Sequence, residues 1–158
     1  MIRALDKYER IILGSTIVGL LLGIGAIALS VFEAGIHLPT AEGRINPAVV
    51  RQTAPFDQPG VREVSPGVYE AVIIAQAWQW DPSVIEVPAG SEVQFIITSV
   101  DVLHGFQVWG TRTNAMVIPG QITKVSQRFP NAGEFGIVCH EYCGIGHHLM
   151  YGEVVVTP

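Results

Sequence analysis

Between Cys139 and Met150 the chain reads CHEYCGIGHHLM, which places two thiols, three imidazoles, a carboxylate and a thioether within twelve residues. Thiolate and thioether are soft ligands that select copper over the harder divalent ions, and imidazole suits copper as well. Cys139, Cys143, His147 and Met150 stand at the spacing C-x3-C-x3-H-x2-M. A further imidazole has to come from elsewhere, and His104 in DVLHGF is the one histidine upstream of this cluster in the part of the chain that reads as β.

Other chemistries use some of the same residues. C-x3-C in an exported domain also suits a disulfide, although paired thiols alone do not call for His and Met at these offsets. A structural zinc site from His104, Cys139, Cys143 and His147 leaves Met150 without a role. A mononuclear blue-copper site from His104, Cys143, His147 and Met150 leaves Cys139 without one.

The elements that must carry these residues are legible in outline. From Ile11 to Phe32 run 22 residues without a charge, which as a helix span about 33 Å, enough for a bilayer core of roughly 30 Å. A cleaved signal peptide has a shorter apolar region, so the segment is predicted to be an uncleaved membrane anchor. Arg3, Lys7 and Arg10 precede it and no Lys or Arg follows until Arg44, which predicts a cytoplasmic N-terminus with the remainder on the periplasmic or extracellular side. Residues 33–158 hold six basic and twelve acidic side chains, a balance of −6. That disfavours a nucleic-acid partner, which needs a basic face, and none is expected.

Residues 33–67, with five prolines (Pro39, Pro47, Pro55, Pro59, Pro66), are expected to be a linker and an irregular lead-in. From residue 68 to 158, short runs rich in Val, Ile and aromatics alternate with Pro-Gly and Asn-Ala-Gly turns, the pattern of a β-sandwich or barrel. The expected strands are Val68–Trp80, Val84–Val87, Ser91–Thr98, Phe106–Val108, Ala115–Ile118, Ile122–Phe129, Glu134–Val138 and Gly152–Thr157. Trp78 and Trp80 are expected on one face of the first.

DVLHGF, a Pro-Gly turn before a strand, and C-x-E-x-C-x3-H-x2-M follow one another in order. In this the chain, from anchor to C-terminus, resembles subunit II of the haem-copper cytochrome c oxidases. The resemblance implies a mostly β, cupredoxin-like Greek-key domain behind one transmembrane helix, and a dinuclear copper A (CuA) centre of two copper ions. Cys139 and Cys143 would bridge them, His104 and His147 supply imidazoles, Met150 a thioether and Glu141 a backbone carbonyl. His140 and His148 are expected to stand outside the ligand set. The carboxylate of Glu141 also matches a magnesium ligand of many family members, but one carboxylate does not establish that site and magnesium is not predicted. Trp78 matches a surface aromatic that receives electrons near the docking site, with Trp80 packing in the core.

Most relatives have two membrane helices in this subunit; a single one resembles the short subunit II of B-type oxidases, where a separate small peptide supplies the other. The implied partners are subunit I, which binds haem and copper, cytochrome c or a similar exported donor, membrane lipid and, by the same resemblance, that single-helix peptide. The activity expected is a one-electron relay that delivers electrons to subunit I for oxygen reduction. Three other protein classes share some of these features. A copper chaperone would need a βαβ pattern, a quinol oxidase subunit II typically lacks the ligands, and a nitrous oxide reductase carries a large preceding domain.

Overall fold

The computed structural model describes residues 6–34 and 41–158; Arg3 and the part of the expected linker at 35–40 lie outside the described residues. Two compact units are distinguished, residues 1–38 and 39–158.

The first unit holds helix α1, Lys7–Ala34. Its start is set by a capping box: Asp6 Oδ1 accepts from the Tyr8 and Glu9 amides at 2.8 and 2.9 Å, and Glu9 Oε2 accepts from the Asp6 amide at 2.9 Å. Ser15, Thr16 and Ser30 turn their hydroxyls back onto the carbonyls of Ile12 and Ala26, so the polar side chains in the apolar run are satisfied within the helix, as a hydrocarbon surrounding requires. The helix is long and apolar enough to cross a membrane.

The second unit is a sandwich of two sheets. Its elements in chain order are β1 (Ala41–Arg44), a 3-10 helix (Pro47–Gln52), β2 (Gly60–Ser65), β3 (Val68–Gln76), β4 (Gln79–Asp81), β5 (Val84–Pro88), β6 (Glu92–Ser99), β7 (His104–Val108), β8 (Asn114–Val117), β9 (Gln121–Arg128), β10 (Gly133–Cys139), a short 3-10 turn (His147–Leu149) and β11 (Tyr151–Thr157). One sheet runs β1-β9-β6-β3-β2 with β4 added to β3, the other β5-β11-β10-β7-β8. The β3–β6 and β5–β11 pairs are parallel and the rest antiparallel. This is the mostly β, cupredoxin-like sandwich expected from the sequence.

Period-two alternation decides which side chains face inward. Val84–Pro88 and Asn114–Val117 alternate exposed and buried residues, as strands covered on one face do. β3 departs from this, with Ala71, Val72, Ile73, Ile74 and Ala75 all fully buried. Ala71, Ile73 and Ala75 face the second sheet and join Phe95, Phe106, Ile137 and Val154 in the main core. Val72 and Ile74 point the other way, into a smaller cluster with Ile45, Val50 and Phe56.

Residues 41–67 therefore differ from the expected irregular lead-in: they give two strands and a 3-10 helix that covers the outer face of the first sheet. The prolines mislead here because Pro47 sits at the start of the helix, where it costs no hydrogen bond, behind Asn46, whose Oδ1 accepts from the Ala48 amide at 3.1 Å. A second difference is the expected strand Val68–Trp80. The chain reverses at Ala77–Trp78, and Gln76 pairs with Gln79 across a two-residue tip. Trp78 and Trp80 consequently do not share a face: Trp80 is buried in the core at 2% exposure, whereas Trp78 is 39% exposed.

Candidate metal centre

His104 opens β7 and Cys139 closes β10, and these neighbouring strands run antiparallel in register, Phe106 opposite Cys139. Cys143, His147 and Met150 lie on the connection from β10 to β11. The sandwich thus brings both loops to one end.

Cys139 Sγ lies 3.8 Å from Cys143 Sγ, nearly twice a covalent S–S bond, and both cysteines are free. Each sulfur has an imidazole nitrogen beside it: His104 Nδ1 is 3.9 Å from Cys139 Sγ, and His147 Nδ1 is 3.4 Å from Cys143 Sγ. Met150 Sδ lies 3.8 Å from Cys143 Sγ, and the Glu141 carbonyl is 3.2 Å from Cys139 Sγ. His104, Cys139, Cys143 and Met150 are buried and His147 is half-buried. Ligand atoms of His104, Cys139 and Cys143 all lie within 4.8 Å of one another. Two sulfurs this close reach a common ion at ordinary metal–sulfur distances of about 2.3 Å. The soft donor set fits copper.

The sequence reading missed Asp101. Its Oδ1 meets His104 Nε2 at 3.0 Å, and its Oδ2 accepts from the Ala77 amide at 2.7 Å. A carboxylate on the far nitrogen fixes the tautomer and aims Nδ1 at the sulfurs. The available signal was an acid three residues before a candidate ligand histidine. Burial raises the Asp101 carboxyl, but the bond to His104 and the Ala77 and Val102 amides outweigh it and hold it below its usual value. Burial lowers His104, and its bonds to Cys139 and Asp101 overcome this and raise it.

Trp78 sits over the ligand loop. Its indole Nε1 donates to the Cys143 carbonyl at 3.0 Å, and its ring occupies the space a side chain at Gly144 or Gly146 would need. His140 is not part of the sulfur cluster: its ring lies against Gly105, where a side chain would collide with it, and Nδ1 is 3.7 Å from the Glu141 carboxylate. His148 is exposed.

Without metal the two thiols share their titration. Burial pushes Cys139 up, yet its bond to His104 and the backbone at Gly105 and Glu141 bring it down to about 6. Burial and the neighbouring Cys139 push Cys143 up. The thiolate is the nucleophile, so at about pH 7 an alkylating reagent should modify Cys139 ahead of Cys143. The Cys139 rate should fall as pH drops through about 6, where its thiolate is lost. Peptide mapping after a short alkylation pulse checks this, and equal labelling would contradict it.

Residues 73–157 match the sequence model of the family described as cytochrome c oxidase subunit II, periplasmic domain. A cytochrome c oxidase subunit 2 of Thermus thermophilus is 39% identical over 98% of this chain and 94% of the relative. A second Thermus thermophilus protein of that name is 41% identical over 83% of this chain and 98% of its own length. Among solved structures, a chain of a heme-copper terminal oxidase dimer superposes with a TM-score of 0.75 at 33% identity, covering 95% of this chain and 99% of that one. The periplasmic domain of cytochrome oxidase subunit II from Bradyrhizobium japonicum shares the fold, with a TM-score of 0.52 at 19% identity over 56% of this chain and 83% of that one. The matched family segment contains every residue of the sulfur–imidazole cluster, and the relative that covers 98% of this chain extends the likeness through α1; this membrane-anchored chain belongs to the cytochrome c oxidase subunit II family, part of a heme-copper oxidoreductase.

Proposed function

We propose that the chain is the electron-accepting subunit of the oxidase, whose sulfur–imidazole cluster would hold two copper ions as a CuA centre, serving a one-electron relay from cytochrome c or a similar exported carrier to haem in subunit I for oxygen reduction. The observation that carries this reading is the near-symmetric donor set, two sulfurs 3.8 Å apart with one imidazole Nδ1 beside each. Copper bound there supplies reversible one-electron chemistry. Cys139 and Cys143 would hold the copper as thiolates, His104 and His147 as imidazoles, Met150 through its thioether and Glu141 through its backbone carbonyl, with His140 and His148 outside the set. Asp101 fixes the His104 ring, and the start of β7 and the end of β10 fix His104 and Cys139, so the donors have little freedom to rearrange when charge changes. That rigidity is what a fast relay needs.

Trp78 is the residue through which electrons arrive. In support, it is partly exposed and bonded directly to the backbone of Cys143. The charge pattern around α1 supports a cytoplasmic N-terminus with the β domain outside, the resemblance to the short subunit II of B-type oxidases implies a small single-helix peptide beside it in the membrane, and magnesium is not required by this reading. The test is copper loading of the full chain in detergent, with metal analysis and EPR. Two coppers per chain and a seven-line hyperfine pattern are expected, because one unpaired electron is then shared by two nuclei. One copper with four lines would replace this reading with a mononuclear site.

A further inference from the structure

The hairpin tip that carries Trp78 is gripped from the far side of the sheet. Arg51, in the last turn of the first 3-10 helix, donates from Nη1 to Asp81 Oδ2 at 2.6 Å and from Nη2 to Gln76 Oε1 at 3.2 Å. Gln76 ends β3 and Asp81 ends β4. One guanidinium thus spans both arms of the hairpin whose tip is Ala77–Trp78. Its own base is fixed, since the preceding residue, Val50, is 1% exposed and packs in the cluster with Val72 and Ile74 of β3. Asp101 in turn holds the Ala77 amide at the tip. Trp78 itself has little core packing to locate it, being 39% exposed; its place on the Cys143 carbonyl depends on where the tip stands.

We propose that Arg51 is a positioning residue for Trp78, clamping the β3–β4 hairpin so that the indole stays seated on the Cys143 carbonyl above the ligand loop. A planar fork can serve two acceptors on different strands at once, whereas a lysine ammonium is a single point charge on a flexible stem. The seat follows from geometry alone; its consequence for electron uptake rests on the reading of Trp78 given above. The clamp is exposed, with side chains 48% and 36% accessible at Arg51 and Asp81. Its effect is therefore bounded at roughly fivefold, the equivalent of about 1 kcal/mol.

The test uses the metal-free full chain in detergent, labelled with nitrogen-15 at its three tryptophans, Trp78, Trp80 and Trp109, with Trp78→Phe assigning the Trp78 indole signal. Arg51→Ala should speed solvent exchange of the Trp78 indole N–H roughly two- to fivefold while leaving Trp80 and Trp109 unchanged. Asp81→Asn should act in the same direction, and Arg51→Lys should recover part of the protection. In the copper-loaded oxidase, Arg51→Ala should slow electron uptake by a similar factor, leave the copper spectrum intact, and add nothing in a Trp78→Phe background. Unchanged Trp78 exchange in both Arg51→Ala and Asp81→Asn would overturn the clamp, as would an equal change at all three indoles. Faster exchange with unchanged uptake would uphold the clamp and reject Trp78 as the electron acceptor.

Discussion

Serine at position 139 or 143 should lower copper affinity by more than about 100-fold and remove the visible absorption of the loaded protein. Losing a group that merely orients a ligand typically costs 10–100-fold, and each cysteine here is itself central to the donor set. Cys139 Sγ contacts His104, Glu141 and Cys143, and Cys143 Sγ contacts Cys139, His147 and Met150. A serine hydroxyl is a hard donor that stays protonated near neutral pH, so it replaces the volume and not the chemistry. The change is nearly isosteric, and the metal-free fold should survive. Titration against a competing chelator measures the loss, with His140→Ala and His148→Ala as controls that keep wild-type affinity. If Cys139→Ser still bound one copper tightly with an intense visible band, Cys143, His147 and Met150 would form the site with His104 and the dinuclear reading would fall.

The second large effect is mechanical. Phe106→Ala should destabilise the β domain by about 3–5 kcal/mol, lowering the midpoint of thermal unfolding by roughly 10–20 °C for a domain of this size. Phe106 is fully buried, meets Trp80 edge-to-face at 5.3 Å between ring centroids and lies 5.2 Å from Phe95. It stands opposite Cys139 on the neighbouring strand, so the cavity opens directly beneath a candidate ligand. Close packing leaves little room for the surrounding strands to collapse into the gap. Circular dichroism of the metal-free full chain in detergent reads the shift, and a change below about 4 °C, equivalent to about 1 kcal/mol, would show that the sheets close over it.

The grouping of the candidate donors was legible because chemistry restricts their types strongly: few arrangements need two thiols, an imidazole and a thioether at these offsets. The sandwich was legible from runs of Val and Ile broken by turn residues. What the chain hid were features set by tertiary contact. The reversal at Ala77–Trp78 contains no Gly, Pro or Asn, and the Ala77 amide is satisfied instead by Asp101, 24 residues away. Local pattern therefore extended the strand straight through it. The strands before residue 68 were hidden by five prolines, although Val50 and Phe56 were the apolar residues waiting for a partner. Asp101 was overlooked because its value lies in holding another residue's ring, which residue type alone does not reveal.

The outer cover of the first sheet matters for where this protein can be cut. A fragment starting at Val68 keeps every candidate ligand but strips Ile45, Val50 and Phe56 from Val72, Ile74 and Ile96. It also removes β1 and β2, leaving β9 and the first half of β3, Val68–Val72, as bare edges. An apolar sheet face beside open strand edges is a template for self-association. The smallest soluble piece that could keep the metal loops in place thus begins ahead of Ala41, well upstream of the segment that holds the chemistry.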